Sequence, residues 1–265
     1  VFSIADTHCH LDFDAFNGDR DAVISRARDA GIVRILNPGV DLNSSRRAIE
    51  LAEKYEEVFV ACGVHPNDAR SWDEDTLRAL KQIANHPKTV AIGEIGLDYY
   101  RDRAPREMQK QIFVQQLALA TEMGLPVVIH NRQAADDTMD LLSAWHADLV
   151  ASGSPLAENP GVLHSFSSDR EVARRANELN FVIGITGPIT YRNAEDLRQI
   201  IKSIPMAALL VETDAPFLTP QPRRGERNEP AYVTWVVEKI AAIHSLPVQT
   251  VMEQTLANSY NLFHW

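Results

Sequence analysis

The chain has 265 residues, 45% of them hydrophobic, and 26 basic against 36 acidic side chains give a formal charge of -10. That balance excludes nucleic-acid binding by bulk electrostatics, and two cysteines, Cys9 and Cys62, exclude a disulfide framework. No apolar run reaches the roughly 18 residues of a membrane-spanning helix, and the opening residues carry no signal-peptide pattern, so a soluble cytoplasmic protein is expected.

Eight short apolar runs bounded by turn signals read as strands: SIADTHC, VRILNPG, VFVACGV, TVAIGEI, LPVVIHN, GVLHSF, FVIGIT and LLVETD. Several are apolar on both faces, as parallel strands covered by helices must be. Amphipathic stretches separate them. DRDAVISRARDAG runs from an acidic first turn to a glycine stop, DEDTLRALKQIANHP ends at a proline, and REMQKQIFVQQLALATEMG stops at Gly124. DREVARRANELN and AEDLRQIIKSIP follow the sixth and seventh runs, and ASGSPLAENPG reads as a surface loop. After the eighth come EPAYVTWVVEKIAAIHS and PVQTVMEQTLANSYNLF, an eighth barrel helix and one extra. The alternation predicts a single (β/α)8 TIM barrel over residues 1–265 with an extra C-terminal helix, rather than an open doubly wound sheet. No G-x-G-x-x-G or Walker A sequence offers a nucleotide-binding alternative.

Polar residues gather at the C-terminal ends of these strands, where such barrels hold catalytic groups. If residues 5 to 12, ADTHCHLD, are extended, alternation turns His8 and His10 one way and Cys9 the other. His65, Glu94, His130, His164 and Asp214 end or approach the ends of strands three, four, five, six and eight. Each alone admits an ordinary structural role. Yet five of the nine histidines fall at strand ends, whereas His86, His146, His244 and His264 fall in helices or loops.

Imidazoles with a few carboxylates suit zinc or manganese better than magnesium or calcium. Four histidines and two carboxylates exceed what one catalytic ion needs, so a binuclear site is expected. Glu94 would bridge, His8, His10 and Asp214 completing one ion, His130 and His164 the other. Glu212 and Asp6, each two residues before a ligand and one layer deeper, are expected to orient ligands. Asp98 is either a ligand or a loop acid, the loop role being favoured.

The stretches ADTHCHLD, ACGVHP, AIGEIGLDYY, PVVIHNR, GVLHSFS, LLVETDAPFLTP and RGERNEP, in that order, resemble the TatD family of metal-dependent hydrolases. The resemblance implies removal of nucleotides from the 3′ end of single-stranded DNA, sometimes RNA, with a part in repairing damaged ends. It implies metal-binding roles for His8, His10, Glu94, His130, His164 and Asp214, and places His65 beside them. The sequence departs from the family pattern at HNR, where HSR or HTR is usual, and at SFSSD, where SFSG is common.

The expected chemistry is phosphodiester hydrolysis by a metal-bound hydroxide at two divalent ions, zinc, manganese or magnesium. Asp214 would act as general base, Glu94 as bridge, and His65 as donor to the phosphate or leaving oxygen. Arg223, Arg224 and Arg227 of the loop after strand eight would contact phosphates, with Tyr191 stacking on a base. Two other readings stand beside this one: a binuclear hydrolase of lactones, amides or phosphotriesters, and a non-catalytic metal-stabilised binding module. A monomer is expected.

Overall fold

The computed structural model describes residues 3–265. Each of the eight apolar runs forms a strand: β1 Ile4–Asp6, β2 Ile32–Pro38, β3 Val58–Cys62, β4 Thr89–Asp98, β5 Val127–Arg132, β6 Gly161–Leu163, β7 Val182–Ile185 and β8 Leu209–Val211. They pair in parallel, in chain order, as one eight-stranded sheet. The barrel closes just beyond the ends of β1 and β8. There the N–H of Thr7 donates to Val211 O (3.1 Å), that of Asp214 to His8 O (2.8 Å) and that of His10 to Ala215 O (2.8 Å). The closing seam is therefore built from the stretches that carry His8, His10 and Asp214.

Between the strands lie α1 Arg20–Asp29, α2 Leu42–Lys54, α3 Glu74–Ala84, α4 Arg106–Met123, α5 Ala135–Ser152, α6 Arg170–Glu178 and α7 Glu195–Lys202, followed by α8 Val233–His244 and α9 Val248–Phe263. Aspartates start three of them: Asp41, Asp73 and Asp169 each accept a backbone N–H from three residues on, satisfying a donor the first turn leaves free. Gly124 and Gly153 end α4 and α5 in the left-handed conformation. No helix among the described residues is long and apolar enough to cross a membrane.

The barrel interior divides by height. At its lower end Leu36, Ala61, Ala91, Val128, Val162 and Leu210, one from each of six strands, meet Leu262 and Phe263. The extra helix α9 is thus a plug for the end of the barrel away from the site, and burying those two side chains stabilises it by roughly 1.5 to 3 kcal/mol each. The upper end is polar.

Candidate metal centre

β4 supplies the centre of the site. All ten of its residues are buried, and its register with β5 slips between Ile92 and Ile95, an irregularity of the kind that re-aims a side chain. Glu94 lies within the slip, its N–H donating to Gly39 O (2.9 Å). Gly96 follows at φ +138, where a Cβ would stand 2.0 Å from His130 O. Only glycine lets β4 approach β5 closely enough to bring His130 to Glu94.

The two carboxylate oxygens of Glu94 face different imidazoles. Oε2 lies 3.4 Å from His8 Nε2 and 3.6 Å from His10 Nε2, and Asp214 Oδ1 completes that side at 3.8 and 3.6 Å from the same nitrogens. Oε1 lies 2.8 Å from His130 Nδ1, 2.9 Å from His164 Nε2 and 3.5 Å from His65 Nε2. The rings of His8 and His164 stack across the divide, centroids 3.9 Å apart.

These donors fit divalent metal. His8 Nε2 and His10 Nε2 face each other at 3.3 Å, and donors about 2.0 to 2.1 Å from a tetrahedral zinc are separated by roughly that distance. The Nδ1 atoms of His8, His10 and His164 are buried with no partner among the described residues, so each can carry the ring proton and leave an Nε2 lone pair facing inward. Three overlapping groups have donor atoms close enough to share an ion: His8, His10 and Glu94; His65, Glu94 and His130; and His8, His164 and Asp214.

His130 and His65 differ in how they are held. His130 turns Nε2 to Asp98 Oδ2 at 3.3 Å; burial lowers its pKa, but the bonds to Asp98 and Glu94 outweigh that and raise it to about 9. His65 Nδ1 accepts the N–H of Asn67 at 3.0 Å, and burial together with the His130 charge pushes its pKa down to about 3. His8 is likewise pushed down to about 4, chiefly by burial. Burial works to raise Glu94 and Asp214, but the surrounding imidazoles hold both below the usual carboxylate range.

Asp98 is not the loop acid its sequence position favoured. It ends β4, buried, accepting from Tyr100 N–H, Arg101 N–H and Asn67 Nδ2 besides facing His130. Alternation from Glu94 through Gly96 carries the signal for it, once the strand is run three residues further. Glu212 and Asp6 lie deeper, as expected, but hold backbone rather than rings. Glu212 accepts from Ser165 N–H at 2.9 Å, with His164 Nδ1 at 3.9 Å, beyond hydrogen-bond reach. Asp6 accepts from Thr213 N–H and Oγ1 at 2.9 and 2.6 Å, fixing the residue before Asp214. Burial raises Glu212 to about 7 and Asp6 to about 8.

A cavity of about 840 Å³ opens over the cluster, lined by His10, His65, Glu94, His130, His164 and Asp214. Arg223, Arg224, Arg227 and Tyr191 lie outside its lining. Arg227 forms a two-pronged ion pair with Asp19, Arg224 stacks over Tyr191 at 4.0 Å, and Arg223 lies near Glu226 and Tyr232. The cations at the mouth are instead Arg101, Arg103 and Arg132, and the aromatic rings include Phe13 and Phe217. None of these five was marked by spacing, because lone arginines and phenylalanines in loops or at a strand's end have no period. The two departures from the family pattern prove to be one feature: Asn131 Nδ2 donates to Ser168 Oγ at 3.2 Å on the rim.

A family model described as TatD related DNase matches residues 5–264. The chain is 40% identical, over 97% of its length and 98% of the relative's, to YabD of Bacillus subtilis, an uncharacterized metal-dependent hydrolase. It is 37% identical, over 97% of both chains, to the 3′-5′ ssDNA/RNA exonuclease TatD of Klebsiella pneumoniae. The crystal structure of YjjV, a TatD homolog from Escherichia coli, matches with a TM-score of 0.91 at 34% identity, covering 99% of this chain and 98% of that one.

Proposed function

The chain belongs to the family of TatD-related DNases, metal-dependent hydrolases acting on ester bonds, and on that footing we propose that it is a 3′-5′ exonuclease of single-stranded DNA or RNA whose site takes two divalent ions on either side of Glu94. The observation that carries this reading is the division of one buried carboxylate between two imidazole sets, Oε2 toward His8 and His10 and Oε1 toward His130 and His164. A relative of similar length bearing the exonuclease name supports the substrate class.

Divalent ions bound there supply Lewis acidity, which lowers the pKa of water and polarises a phosphoryl oxygen. The chain's own groups supply the rest. His8, His10 and Asp214 would hold an ion on one side of Glu94, and His130 and His164 would hold one on the other. Asp214 opens on the cavity and takes the proton of the attacking water as general base. Asp98 fixes the His130 ring through Nε2, leaving Nδ1 to face Glu94. To hold an ion, His130 Nδ1 would have to be free of its proton, so metal binding there would be coupled to proton release. His65 carries its proton on Nε2, since Nδ1 is an acceptor, and donates it to a phosphoryl or leaving oxygen.

Protein stripped of metal and given a 5′-labelled single-stranded oligonucleotide should yield a 3′-shortening ladder only when magnesium, manganese or zinc is restored. Glu94→Ala should abolish the ladder with every metal. No ladder from the wild type with any of the three, or an undiminished one from Glu94→Ala, contradicts the reading.

A further inference from the structure

We infer that the mouth of the barrel is divided into two half-rims, an aromatic one that stacks the 3′-terminal base and an arginine one that holds the phosphates of the strand leading to it. The inference rests on the nuclease reading and adds the direction in which the strand lies.

On the aromatic side Phe13 stacks on His10, centroids 4.5 Å apart and planes within 17°. Phe217 stands edge-on to Phe13 at 6.1 Å and is 52% exposed. About half of the ring is left open at the lip of the cavity, a flat apolar face on which a base can stack. Its main chain is firmly held. Asn228, fully buried, donates to Phe217 O at 2.6 Å and Thr213 O at 2.8 Å, and Phe217 N–H donates to Asp214 O at 2.9 Å. Phe217 is thereby fixed to the turn that carries Asp214.

On the other side Arg101 and Arg103 leave the end of β4 and Arg132 ends β5, all three exposed and lining the cavity. Arg26, Arg28, Arg47, Arg175 and Arg227 elsewhere are paired with carboxylates; among the described residues no carboxylate pairs with any of these three. Arg132 lies over the Tyr100 ring at 4.2 Å, which holds its guanidinium in place.

In the sheet order β1 to β8 the β4–β5 pair stands half a barrel from the β8–β1 seam, with the Glu94 cluster between. A strand crossing that mouth is chemically asymmetric. Its 3′-terminal nucleotide offers one base and the bond to be cut, whereas the 5′ portion offers a phosphate at every step. Charge complementarity sets the 5′ portion on the arginines and the terminal base on Phe217. Arginine contacts should therefore matter more as the substrate lengthens, while the stacking contact should matter equally at every length and tolerate any base.

The test uses metal-loaded protein with the dinucleotide dT2 and the octanucleotide dT8, measuring kcat/KM, together with the salt dependence of binding to a nuclease-resistant phosphorothioate dT8. Arg101→Ala/Arg103→Ala should lose at least tenfold more on dT8 than on dT2, and its log Kd against log salt slope should fall by about 1.4, two phosphates at about 0.7 each. Phe217→Ala should lose a similar factor on both lengths, and an abasic 3′-terminal nucleotide should erase its difference from wild type. Arg46→Ala, exposed on α2, controls for net charge and should keep the wild-type slope. Equal losses on both lengths for the double arginine variant, an unchanged slope, or an equal fall in slope for Arg46→Ala overturns the division of the mouth while leaving the nuclease reading standing. A wild type that cleaves neither length with any metal refutes the nuclease reading and the division with it.

Discussion

At His65 the position of one proton separates two roles. A neutral imidazole carries a single ring proton, and the Asn67 N–H directed at Nδ1 leaves that proton on Nε2, the atom facing Glu94. A ligand needs a lone pair there, as His8, His10 and His164 provide when their buried Nδ1 atoms carry the proton. An N–H left unsatisfied in the interior costs about 1 to 3 kcal/mol, which three such rings sustain only if each Nε2 gains a strong partner. His65→Phe should consequently lower kcat by about 10² to 10⁴ while the protein keeps its full metal content, and His65→Gln, which retains an N–H donor, should recover part of the loss. Metal analysis beside kcat decides it: a drop in bound metal in His65→Phe would make His65 a ligand instead.

The stretch RGERNEP acts as one element, and what it does is brace the turn after β8. Arg227 grips Asp19 through two bonds of 2.8 Å, Arg26 of α1 grips Glu229 at 2.8 and 2.6 Å, and Asn228 pins Thr213 and Phe217. Hydrogen bonds from Arg227 lower the Asp19 pKa. A carboxylate depressed in the folded state contributes stability that is full above its unfolded pKa, near 4, and is lost as pH falls through the folded value. Arg227→Ala should therefore cost about 1 kcal/mol or less in urea unfolding at pH 7, the pair being partly exposed, with the gap from wild type closing as pH falls below the unfolded value near 4. A gap that stays constant with pH would assign the loss to packing. The motif itself was legible in the sequence, but its partner Asp19 is 208 residues away, and no local pattern connects them. Asp98 was half legible for a different reason: the apolar run was ended at Ile95, whereas the strand continues to Asp98, carried past its apolar portion by pairing with β5.

Across the whole molecule the order of the strands was readable because parallel strands buried on both faces are continuous apolar runs, and eight of them with helices between leave one common closed architecture. The convergence of His8, His10, Glu94, His130, His164 and Asp214 was readable for the same reason, since in that architecture strand ends meet. What the extra helix does was not readable, because which end of the barrel α9 covers depends on where Leu262 and Phe263 land, sixteen residues of helix after the barrel is complete. Neither was the rim, where Phe13, Phe217 and the three arginines come from four separate segments that only closure brings together. The central claim is that this closure sets one carboxylate between two ion-binding sets. Anomalous diffraction from crystals of the protein grown with manganese tests it most directly. The account predicts two anomalous peaks about 3.5 to 4 Å apart, one among His8, His10 and Asp214, the other between His130 and His164, each in contact with a different oxygen of Glu94. A single peak, or two that do not share Glu94, would contradict it.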